Sequence, residues 1–289
     1  MGEMTVERRL TVQGALDAAT ATLAAAGVDR PRREATRLLA DLLDLTLGEV
    51  MLERNAVLEP DRRRWIDRTV RRRALGEPLA YVTGIAGFRT LELRSDSRAL
   101  IPRPETEGIV ERALAMVSDG LVVDVGTGTG CLAFSLRAEG RYQRVVAVDI
   151  DRAAIGLAEQ NRRRLRLDVD LVRGDLTTSM ARGFADLVVS NPPYISEAEY
   201  AELPLEVRSY EPRVALASGV DGLEATRRLL EDGLRVLRPG GGMVLELASV
   251  RSEAVAGLAS ELGWRDIRVD EDLFGRPRYL MARRRQEHD

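Results

Sequence analysis

The chain has 289 residues, 45% hydrophobic and 31% charged, with a formal net charge of −3; it can bury one large core or two but has no general attraction to a nucleic-acid backbone. The single Cys131 excludes a disulfide framework and a multi-cysteine zinc site, and the only histidine, His288, sits in the C-terminal tail, so Ser-His or Cys-His catalysis has no base to use. No apolar run approaches a membrane span, and Met1-Gly2-Glu3-Met4-Thr5-Val6 lacks a signal-peptide core and a myristoylation pattern, so a cytoplasmic protein is expected.

Residues 1 to about 78 read as helices. Leu10, Ala15, Ala18, Ala19, Leu23 and Ala26 follow helical spacing, and Gly27 suits the position after a helix end. Pro31 opens a second helix with Ala35, Leu38, Leu39 and Leu42 on its apolar stripe. A further helix from Pro60-Asp61 carries Trp65, Ile66, Val70 and Leu75, together with Arg62, Arg63, Arg64, Arg68, Arg71, Arg72 and Arg73. That arginine cluster reads first as a solvated face and second as a docking surface for an acidic partner or RNA. Residues 1–80 hold 14 Arg against 13 Asp plus Glu, so this part is not basic overall.

Gly76-Glu77-Pro78 breaks the helix. Tyr81-Val82-Thr83-Gly84 and then Phe88 to Leu93 read as short strands, a β-hairpin linker over 79–101. Ile101-Pro102-Arg103-Pro104-Glu105-Thr106-Glu107 follows, and its acids suit the N-terminus of a helix over 108–117. From Leu121 strands and helices alternate. Strands are expected at 121–125, 145–149, 169–172, 185–189 and 243–247, with helices between them. A helix over 253–262 leads to strands at 267–269 and 278–282. This alternation predicts a parallel, doubly wound sheet. No helix separates the last two strands, so the final one should run antiparallel. The organisation expected is therefore α/β: a small all-helical N-terminal domain (1–78), the hairpin linker (79–101), and a seven-stranded Rossmann-like domain (102–289).

Features at four successive strand ends carry chemistry. Asp124-Val125-Gly126-Thr127-Gly128-Thr129-Gly130 joins the first strand of the sheet to a helix, and its glycines let a ligand approach the backbone. The third glycine is one residue too early for the dinucleotide fingerprint G-x-G-x-x-G, which disfavours an oxidoreductase. The chain has no lysine, so there is no P-loop. Asp149 ends the next strand, where a carboxylate accepts both hydroxyls of a ribose, and Asp175 with Leu176 follows the third, where either can edge an adenine. Asn191-Pro192-Pro193-Tyr194 follows the fourth. The prolines end the strand and leave carbonyls without neighbouring N–H groups. Two acceptors beside an aromatic ring suit a planar –NH2 group, although a Pro-rich turn would have the same look.

With these motifs the sequence resembles the class I methyltransferases that use S-adenosylmethionine. Among them it is most similar to the family that methylates the N5 nitrogen of the Gly-Gly-Gln glutamine in peptide-chain release factors. The resemblance spans Gly76 to Gly84, Ile101 to Glu107, Asp124 to Gly130, Asn191 to Tyr194 and Tyr210-Glu211-Pro212. It implies that Gly126, Thr127, Gly128, Thr129, Gly130 and Asp149 hold the cofactor, with Asp175 and Leu176 beside its adenine and Asn191 nearby. It also implies that Asn191 and the Pro192 carbonyl accept the two amide hydrogens while Pro193 and Tyr194 pack on the amide plane, with no metal. The helical N-terminal part would help to grip the release factor. A monomer with no membrane contact and no direct nucleic-acid binding is expected. Two departures stand out: Leu247-Ala248-Ser249 where the family commonly has a glycine, and Leu176 where some members have an aromatic.

Rival readings make distinct demands. An N6-adenine methyltransferase acting on DNA or RNA would use the same tetrapeptide, but it would want a basic groove and aromatics to stack a flipped base. A ribosomal-protein glutamine as substrate is hard to separate by sequence. A non-catalytic binding module would tolerate loss of Asn191 or the glycines, and all are present.

Overall fold

The computed structural model describes residues 10–286; the readings made above on Met1–Val6 and His288 fall outside them. The chain divides into two compact units, one ending at Ile85 and one beginning at Ala86.

The first unit is helical: α1 (Val12–Ala25), α2 (Pro31–Leu43), α3 (Leu47–Leu52), α4 (Pro60–Ala74) and α5 (Leu79–Thr83). Thr11 caps α1 through its side chain, and Pro31 and Pro60 each open a helix where the missing N–H does no harm. Leu16, Leu23, Leu38, Leu39 and Ile66 form its core. Two expectations fail here. Trp65 and Leu75 are exposed, because the buried stripe of α4 runs through Ile66, Thr69, Val70 and Arg73 instead. Tyr81-Val82-Thr83 is helical, not a strand: Pro78 precedes a single short helix that Gly84 ends at a φ of 79°. The arginines of α4 are mostly engaged locally. Arg73 is buried on Glu34, Arg72 pairs with Glu77, Arg64 with Asp61, and Arg62 donates to the Leu42 carbonyl.

The second unit begins with a hairpin, β1 (Ile85–Phe88) and β2 (Leu91–Arg94). A 3-10 turn at Pro104–Thr106 leads into α6 (Glu107–Met116). Then come β3 (Leu121–Val125), α7 (Cys131–Glu139), β4 (Arg144–Asp149), α8 (Arg152–Leu165), β5 (Asp170–Arg173) and β6 (Ala185–Ser190). The chain continues through α9 (Glu197–Glu202), α10 (Leu205–Tyr210), α11 (Glu224–Val236), β7 (Leu237–Glu246), α12 (Ser252–Glu261), β8 (Arg265–Glu271) and β9 (Pro277–Arg283). The sheet has seven strands in the order β5-β4-β3-β6-β7-β9-β8, and β9 pairs antiparallel with both neighbours. The α/β sheet with an antiparallel final strand is thus as the alternation predicts.

The inner strands are apolar on both faces, as a buried parallel sheet requires. Val122, Val145, Ala147, Leu187 and Val189 join one core with α6 and α7; Val123, Val146, Val148 and Val188 join the other with α11 and α12. The hairpin is clamped by the buried Asn161 of α8. Its side chain accepts from Arg94 N at 2.7 Å and donates to the carbonyls of Arg94 and Thr129. Strand β7 starts earlier than expected, at Leu237. Pro239 and the left-handed Gly240 then shift its register against β6 before regular pairing resumes at Gly242. The sequence reading missed α10 as well as α3 and α9. The latter two open on capping boxes, Thr46 with Glu49 and Ser196 with Glu199.

Helix α6 approaches β9 closely. A Cβ placed on Gly108 would lie 2.4 Å from the Tyr279 hydroxyl and 2.5 Å from its ring, and that hydroxyl is held by the Glu105 carbonyl at 2.6 Å. Gly257 in α12 has open space around it. Helix propensity alone favours Ala at both positions by about 1 kcal/mol. We expect Gly257→Ala to raise the melting temperature and Gly108→Ala to lower it, the overpacking costing about 1–3 kcal/mol. Equal shifts in the two variants would contradict the packing described.

Candidate active site

The carboxyl ends of β3, β4, β5 and β6 open on one side of the sheet, where the order reverses around β3. A cavity of about 360 Å³ sits there, lined by the glycine turn, Asp149, Asp175, Leu176 and Asn191. The turn is fixed to β4, since the N–H groups of Gly126 and Thr127 both donate to the Val148 carbonyl, at 2.8 and 3.0 Å. Gly126 and Gly128 have φ of 73° and 56°, which keeps this turn open to ligand approach.

Gly128 N donates to Asp149 Oδ2 and Asp151 N to Asp149 Oδ1, both at 2.9 Å. Burial pushes the Asp149 carboxyl above its ordinary range, and these backbone N–H groups oppose the rise. Gly130 lies apart from the cavity lining. It has a φ of 87° and the Phe134 ring fills the space a Cβ would take, so its place is in the turn before α7. Thr127 and Thr129 line the cavity but are themselves nearly buried. Asp175 is held by Arg228 at 2.6 Å, and Leu176 adopts a left-handed backbone with φ of 50°.

A second cavity of about 190 Å³ shares Arg103, Asn191 and Pro193 with the first, and is completed by Pro192, Tyr194, Leu203 and Val207. Pro192 and Tyr194 line only this one. Asn191 Nδ2 donates to Thr106 Oγ1 at 2.9 Å, and Thr106 Oγ1 donates to Glu246 Oε2 at 2.7 Å. Tyr194 donates to Glu246 Oε1 at 3.3 Å, with Arg278 Nη1 3.8 Å from the same oxygen. Burial raises the Glu246 carboxyl, against the lowering effects of Thr106, Arg278 and Tyr194. The Tyr194 phenol is pushed up to about 12, by burial first and the Glu246 charge second. Glu211 ties the surrounding loops together by accepting from Ile101 N and Arg103 Nη2.

Sequence reading assigned no role to Thr106, Glu246, Arg278 or Asn161. Glu246 had a signal, a lone acid closing an apolar strand. Thr106 had one only in its motif. Asn161 had none, because its partners are backbone carbonyls and an N–H brought together by the fold.

Asp124 lies beneath the turn, with 0% exposure. Its Oδ2 accepts from Thr127 Oγ1 at 2.6 Å and Ala133 N at 3.2 Å, while Oδ1 has no partner among the described residues. Burial pushes this carboxyl from its ordinary 3.8 to about 7, with the two hydrogen bonds opposing and the Asp149 charge reinforcing the rise. Between those values the folded chain holds a proton that the unfolded chain has released, so stability falls as pH rises through the window. Each tenfold change in proton affinity is worth about 1.4 kcal/mol. We expect the melting temperature of the ligand-free protein to fall by several degrees more between pH 4.5 and pH 8 than that of Asp124→Asn, which cannot ionise. Identical pH slopes in the two proteins would refute the assignment.

The chain matches the family model described as the PrmC N-terminal domain over residues 14–84, and that of the methyltransferase small domain over residues 107–204. It is 41% identical to the release factor glutamine methyltransferase of Nitratidesulfovibrio vulgaris, covering 95% of this chain and 95% of that one. It is 40% identical to the protein of the same name from Moorella thermoacetica, covering 96% and 100%. A methyltransferase from Pyrococcus furiosus has the same fold, with a TM-score of 0.52 at 20% identity over 68% of this chain and 89% of that one. The extent and identity of the first two matches, over both units, show that this chain belongs to the release factor glutamine methyltransferase family.

Proposed function

We propose that the chain transfers the methyl group of S-adenosylmethionine to the side-chain amide nitrogen, N5, of the glutamine in the Gly-Gly-Gln motif of release factors, a modification of the translation-termination machinery. The names of its relatives support the substrate. The observation that carries the chemistry is the Asn191 amide: it lines both cavities, and its nitrogen is engaged by Thr106, which leaves Oδ1 as the end available to accept from a ligand.

The donor fits the larger cavity. Its open glycine turn admits a ligand against the backbone, and the Asp149 carboxylate suits a ribose diol. Asp175 and Leu176 would edge the adenine. Bound there, S-adenosylmethionine supplies a methyl group already activated on a sulfonium, and the chain's own residues supply position. Asn191 Oδ1 and the Pro192 carbonyl accept the two hydrogens of the glutamine –NH2. Pro193 and Tyr194 pack on the plane of the amide. An amide nitrogen is a weak nucleophile because its lone pair is shared with the carbonyl. Acceptors on both hydrogens return density to nitrogen and strengthen as the proton is given up, which lowers the barrier. Holding nitrogen in line with the methyl carbon contributes the rest.

A carboxylate substrate has no hydrogens to offer. It would leave Asn191 and Pro192 oxygens unpaired in a desolvated groove, at about 1–3 kcal/mol each. Incubation with labelled donor and a release factor should therefore place one methyl on the Gly-Gly-Gln glutamine and none where it is changed to glutamate. Asp149→Ala should weaken donor binding, since each charge-assisted hydrogen bond to the ribose contributes about 1.5–3 kcal/mol. Label on adenine in nucleic acid, with none on protein, would reject this assignment.

We further assign the helical unit to gripping the release factor. In this reading the protein acts in the cytoplasm as a monomer without contacting nucleic acid directly; among the described residues no helix is long and apolar enough to cross a membrane. Removing the first 78 residues should spare donor binding and depress methylation of the folded release factor. A full rate from the truncated enzyme would give that unit another role.

A further inference from the structure

Asn191 can face the groove with either end of its amide, and the two ends have opposite consequences. Oxygen outward accepts from a substrate –NH2; nitrogen outward repels it and welcomes a carboxylate. Which end faces out is decided behind it. Glu246 Oε1 accepts from the Tyr194 hydroxyl at 3.3 Å and forms an ion pair with Arg278, whose Nη1 lies 3.8 Å away. Glu246 Oε2 takes the Thr106 hydroxyl proton at 2.7 Å, in a buried contact. Having spent its only proton there, Thr106 Oγ1 can only accept from its other neighbour. It accepts from Asn191 Nδ2 at 2.9 Å, and Oδ1 must point away.

We propose that Thr106 and Glu246 are positioning residues that polarise the Asn191 amide, and so set the preference for a hydrogen-bond-donating –NH2 over a carboxylate in the reaction argued above, on which this inference rests. The relay has a direction, and the direction can be reversed without changing size. In Glu246→Gln, Arg278 cannot accept a hydrogen bond, so the new carbonyl oxygen settles on its side and the new –NH2 faces Thr106. The Thr106 proton then turns toward position 191, and the Asn191 nitrogen swings into the groove. In Asn191→Asp alone, two carboxylates compete for one Thr106 proton. In the double variant the amide introduced at position 246 donates to Thr106, Thr106 donates to the new carboxylate at position 191, and an acceptor faces the substrate again.

The test is the full chain with a release factor and S-adenosylmethionine. Each single variant should lose at least tenfold in kcat, and the double variant should recover at least tenfold over Asn191→Asp. Donor affinity should change much less than kcat throughout. Melting temperatures of the ligand-free proteins should show the same reversal, with the double variant above Asn191→Asp, so the relay is read independently of the reaction. A wild-type enzyme inactive on the release factor would reject the proposed function while leaving the melting pattern to judge the relay. In a Thr106→Val background the recovery should vanish in both readouts. Additive losses in either readout, or recovery that persists without the Thr106 hydroxyl, overturn the proposal.

Discussion

The structure around the site depends on one buried carboxylate. Glu246, 1% exposed at the end of β7, is a charge taken out of water, and such a group costs several kcal/mol unless donors converge on it. Its donors come from far apart in the chain: Thr106 from the turn before α6, Tyr194 from the loop after β6, and Arg278 from β9. Satisfying Glu246 therefore brings three segments to one point. The antiparallel β9 belongs to this constraint. Its register sets Tyr279 opposite Glu246, which leaves Arg278 beside the carboxylate and the Tyr279 hydroxyl on the Glu105 carbonyl. The segment that carries Thr106 is thereby held from both sides.

A reaction that depends on placing a weak nucleophile gains from such rigidity. The Asn191-Pro192-Pro193-Tyr194 loop has few internal hydrogen bonds to fix it, because its prolines have no N–H to give. Its shape is imposed from outside, by Ser190 donating to the Val125 carbonyl at 2.6 Å, by Thr106 on Asn191 and by Glu246 on Tyr194. Glu211 does the same for the opposite wall, joining the Ile101-Arg103 stretch to the loop after α10. Residues contributing nothing to the chemistry directly thus decide where the reacting groups stand.

The sheet and the glycine-lined cavity at its carboxyl edge were legible in the sequence because they rest on local rules. Apolar runs such as Val145 to Val148 can only be interior strands, and a glycine turn between strand and helix announces itself by composition. The misreadings arose where context overrode pattern. Tyr81-Val82-Thr83 has the β-branched and aromatic character of a strand, yet Pro78 and Gly84 delimit a single helical turn or so. Trp65 and Leu75 look like core by type, but the stripe of α4 is set by the rotation that buries Ile66 and Val70. The smaller cavity was legible in its lining and opaque behind it. Asn191 stands out at a strand end, whereas the contact of Thr106 with Glu246 spans 140 positions and has no local trace.

Charge links the two cavities. Asp124, Asp149 and Glu246 lie at or next to the carboxyl ends of three strands of one sheet, and burial raises the carboxyl of each above its ordinary range. Such groups ionise reluctantly in the empty protein. Of the three only Asp149 lines the larger cavity, so a cation bound there would meet its carboxylate directly and the other two from behind the lining. In the proposed reaction the cavity holds a sulfonium before methyl transfer and an uncharged thioether afterwards. The same carboxylates that favour the first do nothing for the second, which helps the spent donor to leave. They also oppose a carboxylate in the acceptor groove by like-charge repulsion. In that reading amide selectivity has two sources that share Glu246: the direction of a hydrogen-bond relay at Asn191, and the sign of the field behind it.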